Sequence, residues 1–244
     1  LTILVVDDYP ANRLLMTRQL NYLGHRVTAA EDGRQGFEKW CEADFDVLIT
    51  DCNMPVLSGY ELAQAIREKE RAQGLPPTLI LGFTANAQPE EKARCLEAGM
   101  DDCLFKPIRL ADLSAWLAAK FSGEPVVAPA EPPPTGSEID LSGLQQYVGE
   151  DHELIEQLLR DLLLSNRSDR EELLKAHASG DESGLCTLAH RIKGGALMVR
   201  ASSLIECCEA LERACGDGRA ERIDDAVDQL QQAMARLDQQ LAQG

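Results

Sequence analysis

The chain lacks any run of about 18 consecutive apolar residues, the length an α-helix needs to cross the hydrocarbon core of a bilayer. Nothing resembling a secretory leader precedes the first strand-like run, which opens at Leu1, so no membrane crossing and no direct membrane contact are expected. Cations are scarce, with 24 Lys and Arg against 41 Asp and Glu and a net charge of -17. That balance argues against binding nucleic acid or an anionic membrane, because both rest on Lys and Arg neutralising phosphates. Proteins are the expected partners. No CxxC pair occurs among the eight cysteines, and their spacing is not the ladder of a small secreted domain. Cys41, Cys52, Cys95, Cys103, Cys186, Cys207, Cys208 and Cys215 are read as reduced, small core residues, which places the chain in the cytoplasm. Neither a Walker A motif nor a Gly-rich nucleotide lid is present, so ATP hydrolysis by these residues is not expected. Leu1 is not a start methionine, and the reading is of a piece of a longer protein.

What is present divides by pattern. Over residues 1–121, short aliphatic runs such as ILVV, DVLIT and TLILGF alternate five times with helix-period segments. Such (βα) alternation is the signature of a doubly wound parallel sheet with helices on both faces. Several strands are apolar without alternation, as strands buried on both faces should be. Residues 122–138, SGEPVVAPAEPPPTGSE, carry five of the eleven prolines and read as a semi-rigid linker. Residues 139–244 are helix-period throughout, punctuated by Gly180, Gly184 and a GDG turn at 216–218; an all-α helical bundle is expected.

In an open parallel sheet, ligands bind beyond the carboxyl ends of the strands. Those ends carry Asp7 and Asp8 after strand one, Asp51 at strand three, Thr84 at strand four, and Lys106 followed by Pro107 at strand five. Three clustered carboxylates repel one another unless a cation joins them, and an all-oxygen set suits Mg²⁺. Such an ion could hold a phosphoryl oxygen while Thr84 and Lys106 take the others, leaving Asp51 as nucleophile.

These residues together resemble the receiver domain of two-component response regulators: DD at 7–8, DCNMPVLSG from Asp51, Thr84 with Ala85, and KP at 106–107. The resemblance implies a flavodoxin-like five-stranded sheet in order 2-1-3-4-5 and a phosphoryl group accepted by Asp51 from a phosphohistidine. It further implies Mg²⁺ held by Asp8, Asp51 and the Asn53 carbonyl, with Asp7 acting mainly through water, and a cis peptide before Pro107. The switch position three residues before the lysine, usually Tyr or Phe in that family, is Cys103 here, a departure that sets this chain apart from the family's aromatic switch.

In LAHRIKGGALMVR (188–200), Leu185, Leu188, Ala189, Ile192, Ala196 and Val199 form one apolar stripe of a helix. His190 lies roughly 130° from its centre and should be at least partly exposed. Lys193 and Gly194 fall at the next turn on the same face. Lys193 is expected to favour an incoming phosphate and to disfavour protonation of the imidazole, and Gly194 to let another protein approach closely. AHRIKGGA resembles the signature of histidine phosphotransfer (HPt) domains, and the flanking helices are similar across residues 139 to about 240. A small glycine usual to that family downstream is replaced by Met198, Val199 and Arg200. His25, His152 and His177 are read as structural or surface residues.

The two resemblances imply a phosphorelay module. Asp51 accepts from an upstream histidine kinase domain, and His190 hands the group to a downstream response regulator. The order of domains is similar to the C-terminal part of hybrid sensor histidine kinases. A different reading is a free-standing signalling adaptor, in which receiver docking gates access to His190.

Overall fold

The computed structural model describes residues 1–86, 88–122, 144, 147, 152–217 and 220–241. They form two compact units, one built on a sheet and one on helices. The expected linker beyond Ser122 and most of the first helical segment after it lie outside the described residues.

The sheet unit runs β1 (Thr2–Val6), α1 (Pro10–Tyr22), β2 (Arg26–Ala30), α2 (Gly33–Glu42), β3 (Val47–Asp51), α3 (Gly59–Gln73), β4 (Leu79–Thr84), α4 (Pro89–Glu97), β5 (Asp102–Phe105) and α5 (Leu110–Ser122). All five strands are parallel, in the order β2-β1-β3-β4-β5. Alternate residues of each strand go to opposite faces, and both faces are buried here. Ile3, Val5, Val47, Ile49, Leu81, Phe83 and Leu104 pack against Leu20, Leu113 and Trp116 on one face. Leu4, Val6, Leu48, Ile80 and Cys103 pack against Trp40, Leu62, Ile66 and Cys95 on the other. That two-sided burial is why the inner strands read as unbroken apolar runs. Each such Leu or Ile contributes roughly 1.5–3 kcal/mol.

The register sets the site. Val6 pairs with Thr50, Thr50 with Gly82 and Asp51 with Phe83, and Thr84 with Phe105. Neighbouring strands stand about 4.8 Å apart, so the residues that follow β1 and β5 emerge level with Asp51 and Thr84. β1 is also where the chain order reverses, with β2 on one side and β3 on the other, which is the position at which such sheets bind ligands.

The turn from β3 into α3 is held by a reciprocal cap. The Ser58 side chain accepts from the Glu61 amide, and the Glu61 carboxylate accepts from the Ser58 amide at 2.9 Å. Gly59 then donates its amide to the Cys52 carbonyl at 3.0 Å, which draws the first turn of α3 against the end of β3. A Cβ on Gly59 would fall 2.1 Å from the Asp51 carbonyl oxygen.

The helical unit comprises α6 (His152–Ser179), α7 (Glu182–Met198), α8 (Ser202–Asp217) and α9 (Ala220–Leu241). α7 packs on α6 and α8, and α9 packs on α6 and α8. Gly180 adopts φ 68°, and the Asp181 side chain caps α7 by accepting from the Gly184 amide at 2.9 Å. Leu158, Leu162, Leu173, Leu185, Ile192, Leu204, Leu211, Val227, Leu230 and Met234 fill the interior. The cysteine reading holds for buried Cys52, Cys95, Cys103 and Cys208, but Cys41 is exposed and Cys186, Cys207 and Cys215 are partly so. An apolar periodicity marks a stripe, and these four stand at its border rather than within it. No described helix is long and apolar enough to cross a membrane.

Gly59→Ala tests the junction of β3 and α3. The clash with backbone leaves no flexible atom to yield, and a loss of about 1–3 kcal/mol in urea unfolding is expected.

Candidate functional site

The sheet unit gathers its charged side chains at the strand ends. Lys106, which directly follows β5, donates from Nζ to Oδ2 of Asp7 and to Oδ2 of Asp51, each at 2.7 Å. All three side chains are buried, about 4–5% exposed. Burial works against the ammonium, but the charges and hydrogen bonds of Asp51 and Asp7 outweigh it and hold Lys106 above the ordinary lysine range. It is therefore a cation at any physiological pH. Asp51 Oδ1 accepts the Asn53 amide at 3.3 Å, and Asp7 Oδ1 accepts Asn12 Nδ2 at 3.4 Å. The peptide between Lys106 and Pro107 is cis.

A carboxylate oxygen from each of Asp7, Asp8 and Asp51 lies within 4.8 Å of the others. Three carboxylates against one ammonium leave the cluster net negative, and the donors are hard oxygens. That fits Mg²⁺. Thr84, fully buried at the end of β4, accepts the Asn86 amide at 3.1 Å through its hydroxyl oxygen and retains its own proton to donate. Asn53 is brought to the cluster through its amide. Cys103 does not stand at the cluster; it is buried within the core face formed with Cys52, Cys95 and Leu62.

The helical unit places His190 on α7, partly buried, its side chain 12% exposed. Its Nδ1 stands 3.2 Å from Glu212 Oε1 on α8. A carboxylate can only accept, so Nδ1 carries the proton, and the neutral ring has its lone pair on Nε2. Sequence reasoning missed Glu212, because nothing in SSLIECCEALERACG reveals which turn of α8 meets α7.

The expectation for Lys193 requires correction. It is not an open cation beside the imidazole. Lys193 is buried, its Nζ 2.9 Å from Glu209 and 3.7 Å from the second oxygen of Glu212. Burial pushes the Glu212 carboxyl up, but the His190 hydrogen bond and the Lys193 charge prevail and hold it below the usual carboxylate value. Gly194 is buried one turn beyond His190, and Met198 and Val199 are buried too, leaving Arg200 as the more outward of that trio. Of the other histidines, His177 pairs with Asp224 at 2.7 Å, His25 stands beside the Leu1 amino group, and His152 is exposed.

Comparison with known proteins matches both units. The profile of the response regulator receiver domain fits residues 3–118, and that of the Hpt domain fits residues 144–240. The chain is 42% identical over 253 residues to the virulence sensor protein BvgS of Bordetella bronchiseptica, covering 99% of this chain and 20% of that protein. It is 34% identical over 243 residues to the sensor protein EvgS of Escherichia coli, covering 99% and 19%. The chain thus spans about a fifth of the length of these relatives. Among solved structures, the receiver domain of a sensor histidine kinase from Pseudomonas aeruginosa, described with magnesium in its active-site cleft, is 35% identical over 50% of this chain and 97% of that one, with a TM-score of 0.45.

Two measurements check these arrangements. Lys106→Met leaves two buried carboxylates without their cation, and urea unfolding should show a loss of about 3–5 kcal/mol. Glu212→Gln can present an amide N–H to Nδ1, so the imidazole nitrogen resonances of His190 should show the Nδ1-protonated tautomer depleted, with the fold kept by circular dichroism.

Proposed function

The chain belongs to the two-component phosphorelay proteins, as a receiver domain followed by an Hpt domain, and on that premise we propose that Asp51 and His190 are successive acceptors of one phosphoryl group. The observation that carries this reading is the state of the two nucleophiles. Asp51 is held by a buried ammonium beside two more carboxylates, and His190 has Nδ1 engaged by Glu212.

In the first transfer, a carboxylate oxygen of Asp51 bonds to phosphorus as the phosphorus–nitrogen bond of a donor phosphohistidine breaks, giving an acyl phosphate. Lys106 turns one N–H toward the new phosphoryl oxygens, and Thr84 donates its hydroxyl proton to another. Asp7, Asp8, Asp51 and the Asn53 carbonyl would hold Mg²⁺, which supplies neutralisation of charge on the phosphoryl oxygens. Asp7 stays paired with Lys106, which keeps the ammonium aimed between the two carboxylates.

In the second transfer, Nε2 of His190 bonds to phosphorus as the bond to Asp51 breaks. The ring gains positive character, and its Nδ1–H bond to Glu212 strengthens. Lys193 keeps Glu212 ionised for that purpose. The group then leaves for the receiver of a separate response regulator. The parent protein, on this reading, is a hybrid sensor histidine kinase whose ATP-binding kinase domain lies in the same chain on the cytoplasmic side.

Labelled acyl phosphate with Mg²⁺ tests the order of transfer. The wild-type chain should acquire alkali-labile label at Asp51 and then acid-labile label at His190. Asp51→Asn should acquire neither, and His190→Gln only the first. If label never reaches His190 while Asp51 loading changes the binding of a partner receiver, the adaptor reading replaces this one.

A further inference from the structure

Beyond the acidic cluster, a second group of ligand atoms gathers within the core face that holds Leu62 and Ile80. Cys52 follows β3, Cys95 lies in α4, and Cys103 lies in β5, so 43 residues separate the first two. Their sulfurs all lie within 4.8 Å of one another, and those of Cys52 and Cys95 are 3.5 Å apart. All three residues are buried, 0%, 0% and 4% exposed.

A fourth sulfur joins them. A Cβ on Gly82, in the middle of β4, would stand 2.8 Å from Met100 Sδ, 2.9 Å from Cys95 Sγ and 3.2 Å from Cys52 Sγ. The missing side chain of Gly82 is the space on which these three sulfurs converge, and Gly82 pairs with Cys103 across the β4–β5 ladder.

We propose that Cys52, Cys95 and Cys103, with the thioether of Met100, form a binding site for one soft monovalent metal ion of the copper(I) class. Three sulfurs around a metal at about 2.3 Å stand about 4 Å apart, a separation the cluster meets with small side-chain rotations. Soft thiolate and thioether ligands select copper(I). Zinc is the weaker fit, because it takes four ligands from thiolate, imidazole, carboxylate or water, and a thioether is none of these. Leu62, Ile66, Ile80 and Phe105 of the same core face carry no nitrogen or oxygen in their side chains, and the oxygens of Tyr60 and Glu91 are engaged with one another. Each thiol that binds as thiolate releases its proton to solvent. Ordinary packing accounts for one small cysteine against a glycine, whereas three sulfurs around one glycine, with a fourth within 4.8 Å of two of them, are a ligand set. An ion there ties the residue after Asp51 to α4 and to β5.

The full chain with Cys41, Cys186, Cys207 and Cys215 replaced by serine should bind one equivalent of copper(I) anaerobically against a coloured competing chelator. X-ray absorption should then show only sulfur neighbours, at about 2.3 Å. Cys95→Ser in that background should weaken binding by a factor on the order of a hundred or more, the upper end of what even outer-shell changes cause. Where that variant does not fold, Cys103→Ala and Met100→Leu are measured instead, the first expected to match it and the second to weaken binding roughly tenfold. Absence of copper binding, a nitrogen or oxygen shell, or equal affinity in the folded variants overturns the proposal. Peroxide oxidation to a Cys52–Cys95 disulfide in a chain without copper affinity overturns it too, in favour of a redox pair.

Discussion

The ammonium of Lys106, shared between Asp7 and Asp51 at 2.7 Å, is the contact on which the sheet unit's chemistry depends. A carboxylate buried without a cation costs several kcal/mol, so neither aspartate could occupy its place without Lys106, nor Lys106 without them. The three come from the ends of β1, β3 and β5, and only the order β2-β1-β3-β4-β5 with its parallel register sets those ends level. The two-sided apolar packing of Leu48, Ile49, Ile80 and Leu81 is thereby coupled to the position of a nucleophile, because a slip of one residue would exchange faces and move the charges into the core.

The helical unit meets the same constraint by other means. Lys193 is buried like Lys106 and is balanced like it, by Glu209 and Glu212. Glu212 in turn orients the imidazole of His190. In each unit the side chain proposed as acceptor is fixed by a hydrogen bond with a neighbour whose own charge is compensated, so little reorganisation would be left for a transfer. A carboxylate and an imidazole, each held in place, suit the two successive acceptors proposed for the relay.

Much of this was legible beforehand, and the parts that were share a cause. Asp7, Asp8, Asp51, Thr84 and Lys106 lie at the ends of apolar runs whose alternation with helical segments already implies a common edge. His190 could be placed off the apolar stripe by counting residues around one helix. What escaped depends on contacts between elements. Glu212 and Glu209 are ordinary acids on an amphipathic helix until α8 is docked on α7. The charge of Lys193 was assigned to the imidazole when its partners were unseen. Cys52, Cys95 and Cys103 looked like separate small core residues, and Cys41 looked like a fourth; only packing separates the exposed one from the three whose sulfurs meet.

Local pattern, which rests on backbone periodicity and on the side-chain chemistry at element ends, determined the βα alternation, the helical second unit, the acidic edge and the candidate histidine. Tertiary structure alone decided which charges neutralise one another, which nitrogen of His190 Glu212 engages and which thiols converge. Those are questions of distance between residues far apart in the chain, and electrostatic and ligand interactions fall off within a few ångströms, below the resolution of any periodicity.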